Sequence, residues 1–118
     1  MTVDLQRTSA LSSKTTGVQE LLRTLVGFDT TSAKSNLALI CFVEDYLKRH
    51  GIASTRVPSP DGTKADLFAT IGETSAAGIG LSGHSDCVPV EGQRWSSDPF
   101  TLMERDGKLY ARGTCDMK

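Results

Sequence analysis

At 118 residues, with 38% hydrophobic and 23% charged residues, the chain is sized and composed for at most one globular domain, neither disordered nor fibrous. A formal net charge of −1 gives no reason to expect nucleic acid or an anionic membrane surface as a partner. No apolar run approaches the roughly 20 residues that span a bilayer, and the start, Met1-Thr-Val-Asp-Leu-Gln-Arg7, lacks the basic-then-apolar order of a secretory signal. The 3 cysteines show no framework spacing and are expected as free thiols in a reducing, cytoplasmic setting.

Residues 1–14 are rich in Ser and Thr and are expected to form a flexible arm ahead of a single unit over residues 15–118. Thr16-Gly-Val-Gln19 has capping-box spacing. Val18, Leu21, Leu22 and Leu25 then follow at i, i+3, i+4 and i+7, which predicts a short amphipathic helix stopped by Gly27. Phe28-Asp-Thr-Thr-Ser-Ala-Lys34 reads as a polar loop. Ser35 is expected to cap a second helix running to about His50, with Leu39, Ile40, Phe42, Val43, Tyr46 and Leu47 on one face. Glu44–Lys48 and Asp45–Arg49 are placed for i,i+4 ion pairs on the other face. His50-Gly51 reads as a terminal cation followed by a left-handed cap, which makes His50 a helix end rather than a ligand.

Strand-like pieces follow. Ala53 to Val57 alternates, Pro58-Ser-Pro-Asp-Gly62 is a turn cluster, and Leu67 to Ile71 is a second strand. Gly72 to Gly78 is a connector. Ile79 to Gly83 is a continuous small and apolar run of the kind found in strands buried on both faces. Val88 to Pro99 is a long loop with Trp95 as its anchor. Thr101-Leu-Met-Glu104 and Lys108-Leu-Tyr-Ala-Arg112 flank Arg105-Asp-Gly-Lys108, a strong hairpin signal. Two helices followed by several strands predict an α/β layer with a mixed sheet.

The chemistry gathers in Leu81-Ser-Gly-His-Ser-Asp-Cys-Val-Pro-Val90 and in Arg112-Gly-Thr-Cys-Asp-Met-Lys118. An imidazole at a strand end, with a carboxylate two positions on, is one corner of a metal site: successive odd positions point the same way, so Asp86 can reach the His84 ring. On residue types alone several readings stay open. His84 and Asp86 are equally compatible with a simple hydrogen-bonded pair, and Asp86 with a ligand or an orienting group. Asp116 is compatible with an oxygen ligand or a turn former. A closed structural zinc site of His84, Cys87, Cys115 and a fourth ligand is the rival, although no Cys-x₂–₄-Cys pair accompanies it. Otherwise Cys87 and Cys115 are small packing residues, and Arg112 is a salt-bridge partner or an anion contact.

Gly83-His-Ser-Asp-Cys-Val-Pro-Val90, Trp95-x-x-Asp-Pro-Phe100 and Arg112-Gly-x-x-Asp-Met-Lys118 together resemble the signature blocks of the dinuclear zinc aminoacylase/carboxypeptidase family of metallohydrolases. Phe28-Asp-Thr-Thr-Ser32, Ser35-Asn-Leu-Ala-Leu-Ile40, Gly62-Thr-Lys-Ala65 and Leu67-Phe-Ala-Thr-Ile-Gly72 resemble the branch of that family that deacetylates N-acetyl-ornithine in arginine biosynthesis. The resemblance implies a zinc-exopeptidase-like α/β/α sandwich with a mixed sheet. It makes His84 a ligand of one zinc, Asp116 the carboxylate bridging two, and Asp86 the catalytic-site residue that orients His84. It implies two zinc ions per complete active site, with cobalt able to substitute, and a small-molecule N-acyl amino acid as substrate. Removal of succinyl groups from diaminopimelate, or general aminoacylase or dipeptidase action, is the alternative within the family. Cys87 stands where an aliphatic residue is usual, Ala111 where Gly is, and Asp66 where Asn is common. The family's paired glutamates, its other ligands and its dimer-forming lid domain are expected beyond Lys118. The chain is therefore expected to be an amino-terminal piece, truncated before the catalytic domain is complete and inactive alone, of a cytoplasmic enzyme that dimerises through a domain absent here. A non-catalytic remnant or interaction module is the reading from another class.

Overall fold

The computed structural model describes residues 17–118; the expected arm over residues 1–14 and the Thr16 cap lie outside the described residues. Helix α1 covers residues 17–26, and Gly27 ends it with its N–H bonded to the Arg23 carbonyl at 3.2 Å. Its buried stripe sits further along than the spacing suggested. Val18 is 66% exposed, whereas Val26 is fully buried. The partners explain this. Leu25, near the end of α1, packs on the core cluster, and Arg23 Nη1 donates to the Leu102 carbonyl at 2.9 Å, so the helix is gripped at its carboxyl end.

Helix α2, Leu37–Arg49, begins after Asn36. The N-cap is Asn36 rather than the expected Ser35 and makes no side-chain cap bond, while the Ser35 hydroxyl, one residue further out, accepts from the Leu37 N–H at 3.2 Å. Asn36 spends its amide elsewhere: Nδ2 donates to the Ala65 carbonyl at 2.9 Å, and Oδ1 accepts from the Ala65 N–H at 3.0 Å. One side chain thus imitates a neighbouring strand and ties the start of α2 to the sheet. Lys48 and Arg49 occupy the last turn, His50 is the C-cap and Gly51 takes φ +73°, a left-handed position that suits glycine. The His50 ring lies 4.5 Å from Tyr46, with Nδ1 2.8 Å from the Tyr46 carbonyl. The expected i,i+4 ion pairs do not form. Glu44 is taken by Arg56 of the neighbouring strand, which offers two donors from its fork.

Strands β1 (Ser54–Pro58) and β2 (Ala65–Ala69) pair antiparallel from Ser54↔Ala69 to Pro58↔Ala65. The second strand starts two residues earlier than the pattern predicted, because the Asn36 amide recruits Ala65. Strands β3 (Met103–Arg105) and β4 (Lys108–Tyr110) form a shorter hairpin than expected. Its turn places Asp106 at φ 54° and Gly107 at φ 70°, the double positive φ that Asp-Gly favours in two-residue loops. Leu39, Ile40 and Ala65 form the buried cluster, with Leu25, Phe28, Leu37, Val43 and Leu67 packed around it.

The run Ile79–Gly83 departs from expectation. It belongs to no strand, and Ile79 and Leu81 are 92% and 95% exposed. A strand buried on both faces needs hydrogen-bonding neighbours at both edges and a layer over each face. Among the described residues each hairpin pairs only with itself, so nothing supplies those neighbours. The described chain is thus a small α/β structure with two two-stranded antiparallel sheets, and its parallel pairing is a lone bridge, Thr31↔Cys87.

Candidate metal centre

That bridge positions the site. The polar loop after α1 lies alongside residues 85–87. The Cys87 N–H donates to the Thr30 carbonyl at 3.1 Å, and the Ser32 N–H donates to the Cys87 carbonyl at 3.0 Å. The Thr30 hydroxyl donates to the Ser85 carbonyl. Thr30 and Thr31 are buried, and their hydroxyls are satisfied within this loop or across the bridge. Asp29 folds the loop on itself: Oδ1 accepts from the Thr31 N–H (3.1 Å) and hydroxyl (2.6 Å), and Oδ2 pairs with Lys34. Partial burial alone raises the Asp29 carboxyl, but the Lys34 and Thr31 hydrogen bonds together outweigh it and hold the group at about 2.

From this base the segment delivers His84 between two carboxylates. Nδ1 lies 3.0 Å from Asp86 Oδ1 and 3.2 Å from the Asp86 carbonyl, while Nε2 lies 2.8 Å from Asp116 Oδ1. The other Asp86 oxygen, Oδ2, accepts from the Ser32 hydroxyl at 2.6 Å. The hydrogen bond to Asp116, with smaller help from Asp86, raises the His84 pKa. The Ser32 hydrogen bond, ahead of His84, holds the Asp86 carboxyl below its ordinary range. As it stands the arrangement suits an imidazolium donating from both nitrogens. The site is open: the His84 side chain is 47% exposed and that of Asp116 85%.

Asp116 arrives on a turn over residues 112–117 rather than on a helix. The turn is tied down rather than frayed. The Lys118 N–H donates to the Gly113 carbonyl at 3.0 Å, and Lys118 Nζ donates to the Phe28 carbonyl, buried enough that its pKa is lowered. Gly113 sits at φ 93° beneath the Lys118 side chain, where an added Cβ would lie 3.1 Å from its carbons. Met117 lies over Gly83, its Cε 3.4 Å from where a Cβ would stand, so the turn rests on the His84 segment.

Two expectations are corrected. Cys87 is buried, as a packing residue should be, but Cys115 is exposed because the turn points it outward. Among the described residues Arg112 forms no salt bridge. Its guanidinium stacks over Trp95 at 5.1 Å and donates to Gln93 Oε1, stiffening the loop that Trp95 anchors.

The structure therefore brings His84, Asp86 and Asp116 together in one line. The ring contacts carboxylates, not thiols. The donor types, an imidazole nitrogen beside a carboxylate oxygen, are ones a zinc-type cation takes: Nε2 lies against one carboxylate, and a second carboxylate holds Nδ1 from behind. Among the described residues no further His, Cys, Asp or Glu joins His84 and Asp116 to complete a group that could hold a metal, so the set is partial. Sequence reasoning missed Ser32 and Thr30. Their contacts span 54 and 55 residues, and no local period encodes such pairing.

Known proteins share this part of the sequence. The signature of Peptidase family M20/M25/M40 matches residues 80–118, which contain all three residues of the line. Over 107 residues the chain is 43% identical to an acetylornithine deacetylase of Shigella sonnei (strain Ss046), covering 84% of this chain and 27% of that protein. Over 106 residues it is 42% identical to an acetylornithine deacetylase of Proteus mirabilis (strain HI4320), with the same coverage. The chain belongs to Peptidase family M20/M25/M40. It spans 27% of the length of these M20 relatives. Among the described residues no helix is long and apolar enough to cross a membrane.

Proposed function

We propose that this chain supplies one side of the active site of a zinc-dependent amidohydrolase that removes the acetyl group from N-acetyl-ornithine. The observation that carries the reading is the line Asp86–His84–Asp116, a ring held from behind at Nδ1 with Nε2 facing a second carboxylate. The two relatives are named for that deacetylation, and the likeness covers 84% of this chain. His84 Nε2 and Asp116 would hold the metal, with Asp116 offering two oxygens and so able to serve two ions. When bound, zinc would polarise the amide carbonyl and activate water. Asp86 keeps the proton on Nδ1 and so leaves the Nε2 lone pair free for the cation. Lys118 and Met117 hold Asp116 against the ring.

In the same reading the complete enzyme takes two zinc ions, accepts cobalt, works in the cytoplasm in arginine biosynthesis and forms a homodimer. Its catalytic domain is an α/β/α sandwich. These points rest on the family resemblance. The 118-residue chain, with two candidate ligands where a catalytic zinc takes about three, should hold zinc weakly and turn nothing over. The test is made in the protein completed to the length of its relatives. Chelator-reversible hydrolysis of N-acetyl-ornithine is expected there, and His84→Ala or Asp116→Ala should each lower kcat by more than about 100-fold with loss of bound zinc, in line with the weight of single groups at such centres. Unchanged zinc content and rate in either variant would overturn the assignment.

A further inference from the structure

We infer that Ser32 is a positioning residue that locks the Asp86 carboxylate and thereby sets the tautomer of His84; the value of that tautomer for metal binding rests on the reading above. A carboxylate whose side chain is 53% exposed is free to rotate about its last bond unless both oxygens are engaged. Asp86 has both engaged. Oδ1 faces His84 Nδ1 at 3.0 Å, and Oδ2 accepts from the Ser32 hydroxyl at 2.6 Å.

Three contacts surround Ser32, two of them made by its own backbone. Its N–H donates to the Cys87 carbonyl at 3.0 Å, its hydroxyl oxygen lies 3.4 Å from that same carbonyl, and its own carbonyl accepts from Lys64 Nζ. The hydroxyl has one hydrogen, and the shorter contact assigns it to Asp86 rather than to Cys87. Because Ser32 donates, Asp86 accepts on that side. Its remaining oxygen then accepts from Nδ1–H, so that in the neutral ring, with the Asp116 acceptor removed or a cation in its place, Nε2 keeps its lone pair. The order is therefore imposed from the loop outward: Ser32 to Asp86 to His84. Removing the hydroxyl releases one oxygen to solvent and lets the carboxylate turn, which leaves Nδ1–H only the longer contact to the Asp86 carbonyl at 3.2 Å and admits the Nε2–H form, whose hydrogen occupies the place a cation needs.

The experiment uses ¹⁵N-labelled 118-residue chain with Asp116→Ala throughout, which removes the competing acceptor at Nε2. Long-range ¹H–¹⁵N spectra, recorded at a pH where the ring is neutral, read the tautomer of each histidine. His50, whose Nδ1 faces the Tyr46 carbonyl far from Ser32, is the internal control for an intact fold. His84 is expected to be predominantly Nδ1–H with Ser32 present, a mixture in Ser32→Ala, and predominantly Nδ1–H again in Ser32→Thr, with His50 unmoved in all three. An unchanged His84 signature in Ser32→Ala, or a Ser32→Thr variant that fails to restore it, overturns the inference. A merely structural role would move His50 along with His84.

A second arm separates this inference from the metal reading. With Asp116 restored in the protein completed to the length of its relatives, zinc is titrated against a competing chelator, and Ser32→Ala is expected to weaken binding about 10-fold, the low end for groups behind a ligand. Failure of the completed parent protein to take zinc, with the tautomer arm as expected, overturns the metal reading and leaves Ser32 as the tautomer lock. Equal zinc affinity with an unchanged tautomer overturns Ser32 and leaves the metal reading.

Discussion

Two apolar segments of this chain look alike in sequence and fare differently in the fold. Leu39 and Ile40 on α2 are 4% and 6% exposed, whereas Ile79 and Leu81, in the run leading to His84, are 92% and 95% exposed. Hydropathy does not separate them; the supply of partners does. The α2 face meets β2 within thirty residues of chain, and the Asn36 amide staples the two together. The 79–83 run has no hairpin partner of its own. It lies beside an open hollow bordered by Leu39, Ile40, Leu67, His84 and Asp86. Its downstream end is held instead by polar, long-range links, Thr30 to Ser85 and Ser32 to Asp86. One region is thus stabilised by burial, the other by hydrogen bonds to a loop.

The sharpest way to break this comparison is to truncate one residue on each side. Ile40→Ala should destabilise the chain by about 2–5 kcal/mol, because it removes buried methylenes and leaves a cavity. Leu81→Ala should change stability by no more than about 0.5 kcal/mol, since its side chain is already in water. Urea midpoints of the two variants decide it; comparable losses would mean that Leu81 is covered in solution. Self-association should move the other way and fall in Leu81→Ala, because an exposed, unpaired apolar segment invites pairing with another copy.

What could be read from sequence follows the same division. The helices, the left-handed Gly51 cap and the Asp106-Gly107 turn are encoded within a few residues, and they appear where the spacing places them, with strand ends shifted by one or two positions. The reach of Asp86 to His84 is also local, two residues apart along an extended segment. By contrast, Asp116 meets His84 across 32 residues and Ser32 meets Asp86 across 54. The first of these came from family resemblance and the second was not foreseen. The Ile79–Gly83 run was misjudged for a physical reason: composition says that a segment prefers burial, and only topology says whether anything is there to bury it. Arg112 shows the same limit, since its cation–π partner Trp95 lies in a different loop.

A second comparison sharpens the role of local backbone. Gly107, at φ 70° in the β3–β4 turn, adopts a conformation that costs an L side chain roughly 1–2 kcal/mol. Gly107→Ala should therefore lower the stability of that hairpin by about this amount, read as lost amide protection at Leu109 and Tyr110. Gly78, which is free of positive φ and has open space where a Cβ would stand, is the control. Gly78→Ala should be neutral or slightly stabilising through the unfolded chain. If both substitutions cost the same, the turn is not held in the double positive φ geometry.

The smallest effect concerns acid and the loop that carries Ser32. Asp29 sits at about 2 against an ordinary 3.8. The folded value is the lower one, so the folded loop binds its proton less readily than the unfolded chain. Its contribution is therefore fully present above pH 3.8 and is lost as pH falls through about 2. Both partners are partly exposed, 32% for Asp29 and 53% for Lys34, so the pair contributes only on the order of 0–1 kcal/mol. Local opening should show what global stability barely registers. Between pH 4 and pH 2 the amides of Ser32 and Cys87, which close the parallel bridge, should lose protection while Ile40 keeps its own. Lys34→Ala should raise the Asp29 value, followed by its carboxyl ¹³C shift. It should not reach the ordinary range, because the two Thr31 hydrogen bonds persist. Equal loss of protection at Ser32, Cys87 and Ile40 would show that the loop and the core open as one unit.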